Sequence, residues 1–233
     1  MMPQVLPKSI LLLSSGLDSS VNLYAALKKT QVLLAITFDY GQLAAPKEIE
    51  RSKELADLNK VKHLVIPIPW LKDLGDSALT KPGVKLPLGK TISIDNQQVS
   101  EKTAKSVWIP NRNGIFLNIA AAFAESLKAE MVIPGFNAEE AATFPDNSYD
   151  FIRATRKSFA YSTSNHVDIQ CFTITKNKNE IVKMGQNLQV PFERLWVCYQ
   201  NREKWCGQCE SCQRAVRAFR GNNLDILGNF EHS

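Results

Sequence analysis

The stretch ILLLSSGLDSSVNLYAAL, residues 10–27, constrains this chain more than any other. Four apolar residues, Ile10-Leu11-Leu12-Leu13, run unbroken into the polar cluster Ser14-Ser15-Gly16-Leu17-Asp18-Ser19-Ser20, and a helix-like pattern follows. A short apolar run bounded by turn residues is the pattern of a strand buried on both faces, as in a parallel sheet. Such a strand hands over to a crossover, here a helix from Ser19 to about Lys29, with Asp18 or Ser19 as its expected cap. At that junction free backbone N–H groups and the positive end of the helix dipole converge on one spot, which suits phosphate. Gly16 permits close approach and the serine hydroxyls add donors. The turn is not a Walker A loop, for want of Gly-Lys-Ser/Thr, nor the G-x-G-x-x-G dinucleotide fingerprint. The plain alternative is a βα turn that binds nothing.

The alternation continues. Residues 32–38 (VLLAITF) read as a second buried strand ending in Asp39-Tyr40-Gly41-Gln42, a helix opens at Pro46, and residues 64–68 read as a third strand. Strand, helix, strand, helix, strand predicts an α/β fold with a doubly wound, mostly parallel sheet. Ligands in that architecture collect beyond the carboxyl ends of strands, so the tip at 39–42 should share a crevice with residues 14–19. Asp and Gly are also ordinary turn residues. Residues 70–107, with Pro82, Pro87, Gly75, Gly83 and Gly89, show little periodicity. They read as a flexible flap over the crevice or as a disordered surface loop. Residues 114–128 predict a helix preceded by Ile109-Pro110-Asn111-Arg112-Asn113. Arg112 at a helix start is unusual, since that end prefers acids; a bound anion or plain solvent would each account for it.

Residues 131–135 (MVIPG) read as a strand with Gly135 at its tip, followed by a polar loop over 136–148 carrying Glu139, Glu140, Phe144, Pro145 and Asp146. Those acids suit Mg²⁺, an amine, or simple solvation. A helix over 149–163, a strand over 167–175 with Cys171 facing in, and a helix over 179–188 complete a main unit, residues 1–192. Residues 193–233 form a small C-terminal segment. With 44% hydrophobic residues in 233, a full core is available. No apolar run approaches the ~18 residues of a membrane span, and the N-terminus lacks a signal-peptide core, so a cytoplasmic location is expected. A net charge of +5 suits an anionic substrate such as ATP as well as nucleic acid.

Five cysteines, four of them near the C-terminus, argue against a disulfide framework. Cys198, Cys206, Cys209 and Cys212 are spaced C-x7-C-x2-C-x2-C. Four thiolates at about 2.3 Å from one centre make a closed, structural zinc site. An iron–sulfur cluster and a redox pair are the rivals, and zinc is favoured because no other redox-cofactor signature is present. Arg194, Arg202, Lys204, Arg214, Arg217 and Arg220, interleaved with Trp196, Tyr199 and Trp205, resemble a nucleic-acid patch, which makes a zinc-stapled nucleic-acid binder a second reading.

The loop at 14–19 resembles the S-G-G-x-D-S loop of the ATP pyrophosphatase (PP-loop, adenine nucleotide alpha hydrolase-like) families, with Ser15 where those have Gly. With the Asp39-Tyr40-Gly41-Gln42 tip and the terminal cysteine block, the chain resembles the 7-cyano-7-deazaguanine synthase (QueC-type) family over most of its length, from Ser9 to Phe219. Pro110 with Arg112-Asn113, Gly135, Pro145-Asp146 and Phe151 match as well.

The resemblance implies a ligase that adenylates the carboxylate of 7-carboxy-7-deazaguanine, lets ammonia displace AMP, and dehydrates the amide to a nitrile after a second adenylation. It implies ATP, Mg²⁺ and Zn²⁺ as cofactors and a homodimer. By carry-over, Leu13, Ser14, Ser15, Gly16, Leu17, Asp18, Ser19, Ser20, Val21, Asn22 and Leu23 hold ATP, with Phe38, Asp39, Tyr40, Gln42 and Gly135. Asp18, Ser19 and Arg112 carry the chemistry, and the four clustered cysteines bind zinc. The chain departs from the family at Leu43-Ala44, Asn147-Ser148 and Ala215, around the expected substrate pocket. Those departures imply retained ATP activation, with room for a paralogue that transfers the activated deazapurine to another nucleophile such as a protein amine.

Overall fold

In the computed structural model, which describes residues 5–81, 83–94 and 96–231, the apolar runs become strands of one parallel sheet. Pro82 and the extreme N-terminus, both used above, lie outside the described residues. The strands are β1 (Lys8–Leu12), β2 (Gln31–Asp39), β3 (His63–Pro67), β4 (Met131–Ile133) and β5 (Asp168–Ile169), in the spatial order β3-β2-β1-β4-β5. The chain winds outward from β1 to β3, then restarts on the other side of β1. The switch point therefore lies between β1 and β4, where a doubly wound sheet opens its crevice.

The helices are α1 (Leu17–Lys29), α2 (Ala45–Leu58), α3 (Gln97–Val107), α4 (Arg112–Ser126), α5 (Ala138–Ala141), α6 (Tyr149–Ser162), α7 (Lys178–Asn187) and α8 (Glu210–Gly221). Alternation along each strand sorts the core into two layers. Leu11, Ala35 and Ile133 point to a cluster with Val21 of α1, Leu55 of α2, Ile181 of α7 and Phe219 of α8. Ile10, Ile36 and Val132 point the other way, to Leu117 of α4 and Phe159 of α6. Each of these buried Leu, Ile, Val and Phe side chains contributes about 1.5–3 kcal/mol. The C-terminal segment belongs to the first layer: Trp205, Cys206, Cys209 and Phe230 share that cluster with Leu17 and Val21. The Trp196 N–H donates to the Ser15 carbonyl at 2.9 Å, seating the segment on the β1–α1 turn.

Three expectations need correction. The stretch 70–107 holds a regular element, α3, capped by Asn96, whose side chain accepts from the Val99 N–H. Ala104 and Val107 supply its buried contacts. The alternation over 167–175 yields only two residues of strand, because β4 offers three residues to pair with and the chain then turns. There Thr173 donates to the Phe136 carbonyl at 2.6 Å and accepts from Asn22 Nδ2 at 2.6 Å. The N-cap of α1 is Gly16, with Asp18 and Ser19 already inside the first turn, so their side chains serve the crevice rather than the helix end.

Candidate active site

The β1–α1 turn is built for close approach. Ser15 sits at φ +56°, the left-handed region, and its hydroxyl donates to the Ser14 carbonyl at 2.6 Å. Ser14 Oγ and Ser19 Oγ lie 3.1 Å apart across the turn. Opposite stands Gly135, just after β4. A Cβ there would lie 2.6 Å from the Ser19 nitrogen and 2.7 Å from its Cα, so only glycine lets the chain beyond β4 close on the first turn of α1. Above them opens a cavity of about 240 Å³. Its walls carry Ser14, Gly16, Asp18 and Ser19 from the turn, Phe38, Tyr40 and Gln42 from the tip of β2, and Arg112 and Phe116 from α4. Phe116 stacks on Phe38 at 4.1 Å between ring centroids, which gives the cavity a flat aromatic platform.

Lys178, the first residue of α7, lies in this wall with its side chain 6% exposed, and its Nζ is 2.5 Å from both Asp18 Oδ2 and Glu140 Oε1. Burial pushes the Asp18 carboxyl up to about 6, against the pull of Lys178. Burial also raises Glu140, but the Lys178 ammonium more than offsets it and holds that group below the ordinary range. Burial works against the Lys178 ammonium, which the two carboxylates nonetheless hold above its ordinary range. Asp18 Oδ1 is buried without a hydrogen-bond partner among the described residues. Across the cavity, burial lifts the Tyr40 hydroxyl while the neighbouring Arg112 guanidinium, hydrogen-bonded to it, pulls it down. Glu48 of α2 shares this wall, held by Gln42 Nε2 at 2.8 Å, and burial raises its carboxyl to about 7.

Of the residues expected to hold nucleotide, the structure brings Leu13, Ser14, Gly16, Leu17, Asp18, Ser19, Phe38, Tyr40, Gln42 and Gly135 to the cavity, together with Arg112. Ser15 is fully buried behind the turn. Val21 and Leu23 are core residues. Asn22 spends its side chain on Thr173 and the Phe172 N–H, Ser20 Oγ is buried without a partner among the described residues, and Asp39 accepts from the Gly41 N–H. Sequence reading missed Lys178 and Glu48. Each is one charge among several on a polar helix, and only burial distinguishes it. Glu139 and Glu140 are not a solvated loop: Glu139 pairs with Arg214 at 2.5 Å and with Arg217.

Trp196, Val197, Cys198, Tyr199 and Ala215 of the C-terminal segment close the cavity on one side. Behind them the sulfurs of Cys198, Cys206, Cys209 and Cys212 all lie within 4.8 Å of one another, and all four residues are buried. Tetrahedral zinc at about 2.3 Å from each sulfur sets neighbouring sulfurs about 3.8 Å apart; Cys206 and Cys212 are at 3.9 Å. Backbone N–H groups of Gln200 and Cys206 donate to the Cys198 sulfur and those of Gln208 and Cys209 to the Cys206 sulfur, which suits thiolates. Gly207, at φ +69°, makes the tight turn between Cys206 and Cys209. Donor set and spacing fit zinc. The basic patch expected around this cluster is only partly a surface: Arg202, Lys204 and Arg220 are exposed. Arg214 is 4% exposed and paired with Glu210 and Glu139, Arg202 pairs with Glu231, and Trp196 and Trp205 are buried.

Residues 8–223 match the family model described as queuosine biosynthesis protein QueC. A 7-cyano-7-deazaguanine synthase of Bdellovibrio bacteriovorus is 56% identical over 96% of this chain and 97% of its own length. Those of Desulforamulus reducens and Pelotomaculum thermopropionicum are 48% and 47% identical, over 95% and 94% of this chain and 97% and 99% of theirs. Identity at that level over nearly the whole chain, with a family model matched from residue 8 to residue 223, settles kinship: the chain belongs to the QueC family.

Proposed function

We propose that this chain is an ATP-dependent carbon–nitrogen ligase that makes 7-cyano-7-deazaguanine from 7-carboxy-7-deazaguanine and ammonia. The observation that carries the reading is the cavity at the switch point, where the β1–α1 turn, Arg112 and Lys178 face one space in a chain related over nearly its whole length to synthases of that name. A carboxylate is a poor electrophile, and converting it to an acyl adenylate supplies AMP as a leaving group. The protein's part is to align the carboxylate with the α-phosphate and to meet the charge that develops on pyrophosphate. Backbone N–H groups of residues 14–19 and the α1 dipole would receive the phosphates. The Phe38 and Phe116 platform would receive a flat base. The unpartnered Asp18 Oδ1 is the oxygen that would take Mg²⁺, which neutralises phosphate charge when bound. Zinc held by Cys198, Cys206, Cys209 and Cys212 would have four protein ligands and no position for substrate, and would fix the wall from Trp196 to Ala215.

We infer a cytoplasmic enzyme, where unpaired thiols persist, and a homodimer by family resemblance. Among the described residues no helix is long and apolar enough to cross a membrane. The reading of a paralogue acting on a protein amine, and that of a zinc-stapled nucleic-acid binder, are not favoured: relatives this similar over nearly the full chain are synthases, and Arg214, at the centre of the basic patch, is buried in ion pairs. The test is ATP-dependent pyrophosphate release with 7-carboxy-7-deazaguanine and ammonia, with the nitrile identified by mass spectrometry. ATP turnover indifferent to the deazapurine would overturn the substrate assignment.

A further inference from the structure

Amide formation from ammonia poses a proton problem that the binding groups above do not solve. At neutral pH ammonia is almost wholly ammonium, which has no lone pair to attack with. A buried site that uses it needs a group to accept the proton. Neither described histidine lines the cavity. Among the cavity carboxylates, Asp18 and Glu140 are both committed to Lys178 at 2.5 Å. Asp146 faces Arg112 and takes hydrogen bonds from Asn147 and from the backbone at the start of α4.

Glu48 is placed differently. Its carboxylate lines the cavity, and a chain of hydrogen bonds fixes it there. Gln42 is 5% exposed, and its Oε1 accepts from the Tyr40 N–H at 3.0 Å, which settles which way its amide faces. Its Nε2 then donates to the Phe38 carbonyl at 3.0 Å and to Glu48 Oε2 at 2.8 Å. Ser15 Oγ reaches the Glu48 carbonyl at 3.3 Å, so this turn of α2 is tied directly to the phosphate turn. Gln42 is thus a positioning residue for Glu48. The charged groups facing the carboxylate are Arg112 from α4 and Asp39 at the end of β2, of opposite sign.

We propose that Glu48 accepts the proton from ammonium in the amide-forming half of the reaction, which rests on the ligase reading above. One N–H bond breaks and its proton goes to the Glu48 carboxylate. The freed nitrogen lone pair forms the C–N bond to the acyl carbon, and the C–O bond to AMP breaks with its electron pair leaving on the phosphate oxygen. The surplus proton on the new amide nitrogen passes to solvent. Burial, which holds this carboxyl near 7, keeps such an acceptor both available and reversible at working pH.

The test is Glu48→Gln, which keeps the side chain's shape and its bond to Gln42. ATP–pyrophosphate exchange dependent on 7-carboxy-7-deazaguanine, run without ammonia, reads adenylation alone and should be nearly unchanged. Amide and nitrile formation from ammonia at neutral pH should fall on the order of 10²-fold or more. Hydroxylamine, largely unprotonated at neutral pH, should restore turnover as the hydroxamate, and raising the pH should narrow the deficit with ammonia. If exchange falls in step with amide formation, or if hydroxylamine fares no better than ammonia, Glu48 acts in binding and the proposal is overturned. If the wild-type protein shows no carboxylate-dependent exchange, the ligase reading falls first and takes this step with it.

Discussion

The β1–α1 turn and the cysteine-bearing tail share a wall of one cavity, yet they are finished in opposite ways. The tail is complete in itself: four thiols converge, backbone N–H groups already point at two of them, and a single cation would satisfy the set. The turn is left incomplete. Among the described residues Asp18 keeps a buried oxygen without a partner, and Lys178 is held between two carboxylates rather than one. A structural site closes on its ion and then takes no further part, whereas a reactive site keeps groups that only a ligand can satisfy. That contrast orders what perturbation should do at each.

The largest effect belongs to the tail. Structural zinc contributes on the order of 10 kcal/mol in small peptides, and with zinc bound at the four cysteines part of that would be folding energy here. Chelation or Cys206→Ser should lower the thermal midpoint sharply, shift the fluorescence of Trp196 and Trp205, and abolish activity through the lost cavity wall. A variant that keeps the parent's midpoint would break the contrast from this side.

Lys178→Met comes next. It leaves two buried carboxylates facing each other without their cation, a change that costs about 3–5 kcal/mol when a buried pair loses one partner. Adding Glu140→Gln should recover part of the loss, since the groups are coupled and their effects will not add. Denaturant unfolding of the single and double variants measures both. Strict additivity would mean that Lys178 holds Asp18 and Glu140 independently.

What the sequence made legible follows the same line. The Leu13 to Ser19 turn could be read because its parts are adjacent and its apolar run is uninterrupted. The cysteines could be read because thiols at knuckle spacing have few other uses. Lys178 and Glu48 could not: KNKNE and PKEIER look like solvated helix faces, and their function comes from meeting partners up to 160 residues away. The helix α3 was hidden by a polar, weakly periodic run whose support is tertiary, from Glu210 to Ser100 and Thr103. The truncated β5 was hidden because alternation states which face a residue takes, not whether a neighbour is long enough to pair with it.

A smaller effect separates the walls by pH. Burial raises the Glu48 carboxyl from its ordinary 4.5 to about 7. Between those values the folded chain holds a proton that the unfolded chain has released, so this group's stabilisation is fully present below about 4.5 and is lost as pH rises through about 7. Glu48→Gln removes that dependence. Relative to the parent it should gain about 1–3 kcal/mol between pH 5 and pH 8, read as the change in unfolding free energy. A constant difference across that range would show that the carboxylate is ionised throughout.

The smallest effect is expected at Ser15, where related loops carry glycine. A serine at φ +56° bears a steric cost of about 1–2 kcal/mol that glycine would relieve. Against this, Ser15→Gly deletes the one proton the hydroxyl donates, shared between the Ser14 and Glu48 carbonyls and worth about 0.5–1.5 kcal/mol in all, and frees the unfolded chain by a further ~0.5–1 kcal/mol. The terms nearly cancel, so stability should move by less than about 1 kcal/mol. Function should not cancel in the same way, because the lost bond is the tether between the phosphate turn and the turn of α2 that carries Glu48. Adenylation should persist while the ammonia-dependent step slows, a split visible by comparing pyrophosphate exchange with nitrile formation in the one variant. Equal slowing of both would mean that the hydroxyl serves the phosphate turn alone.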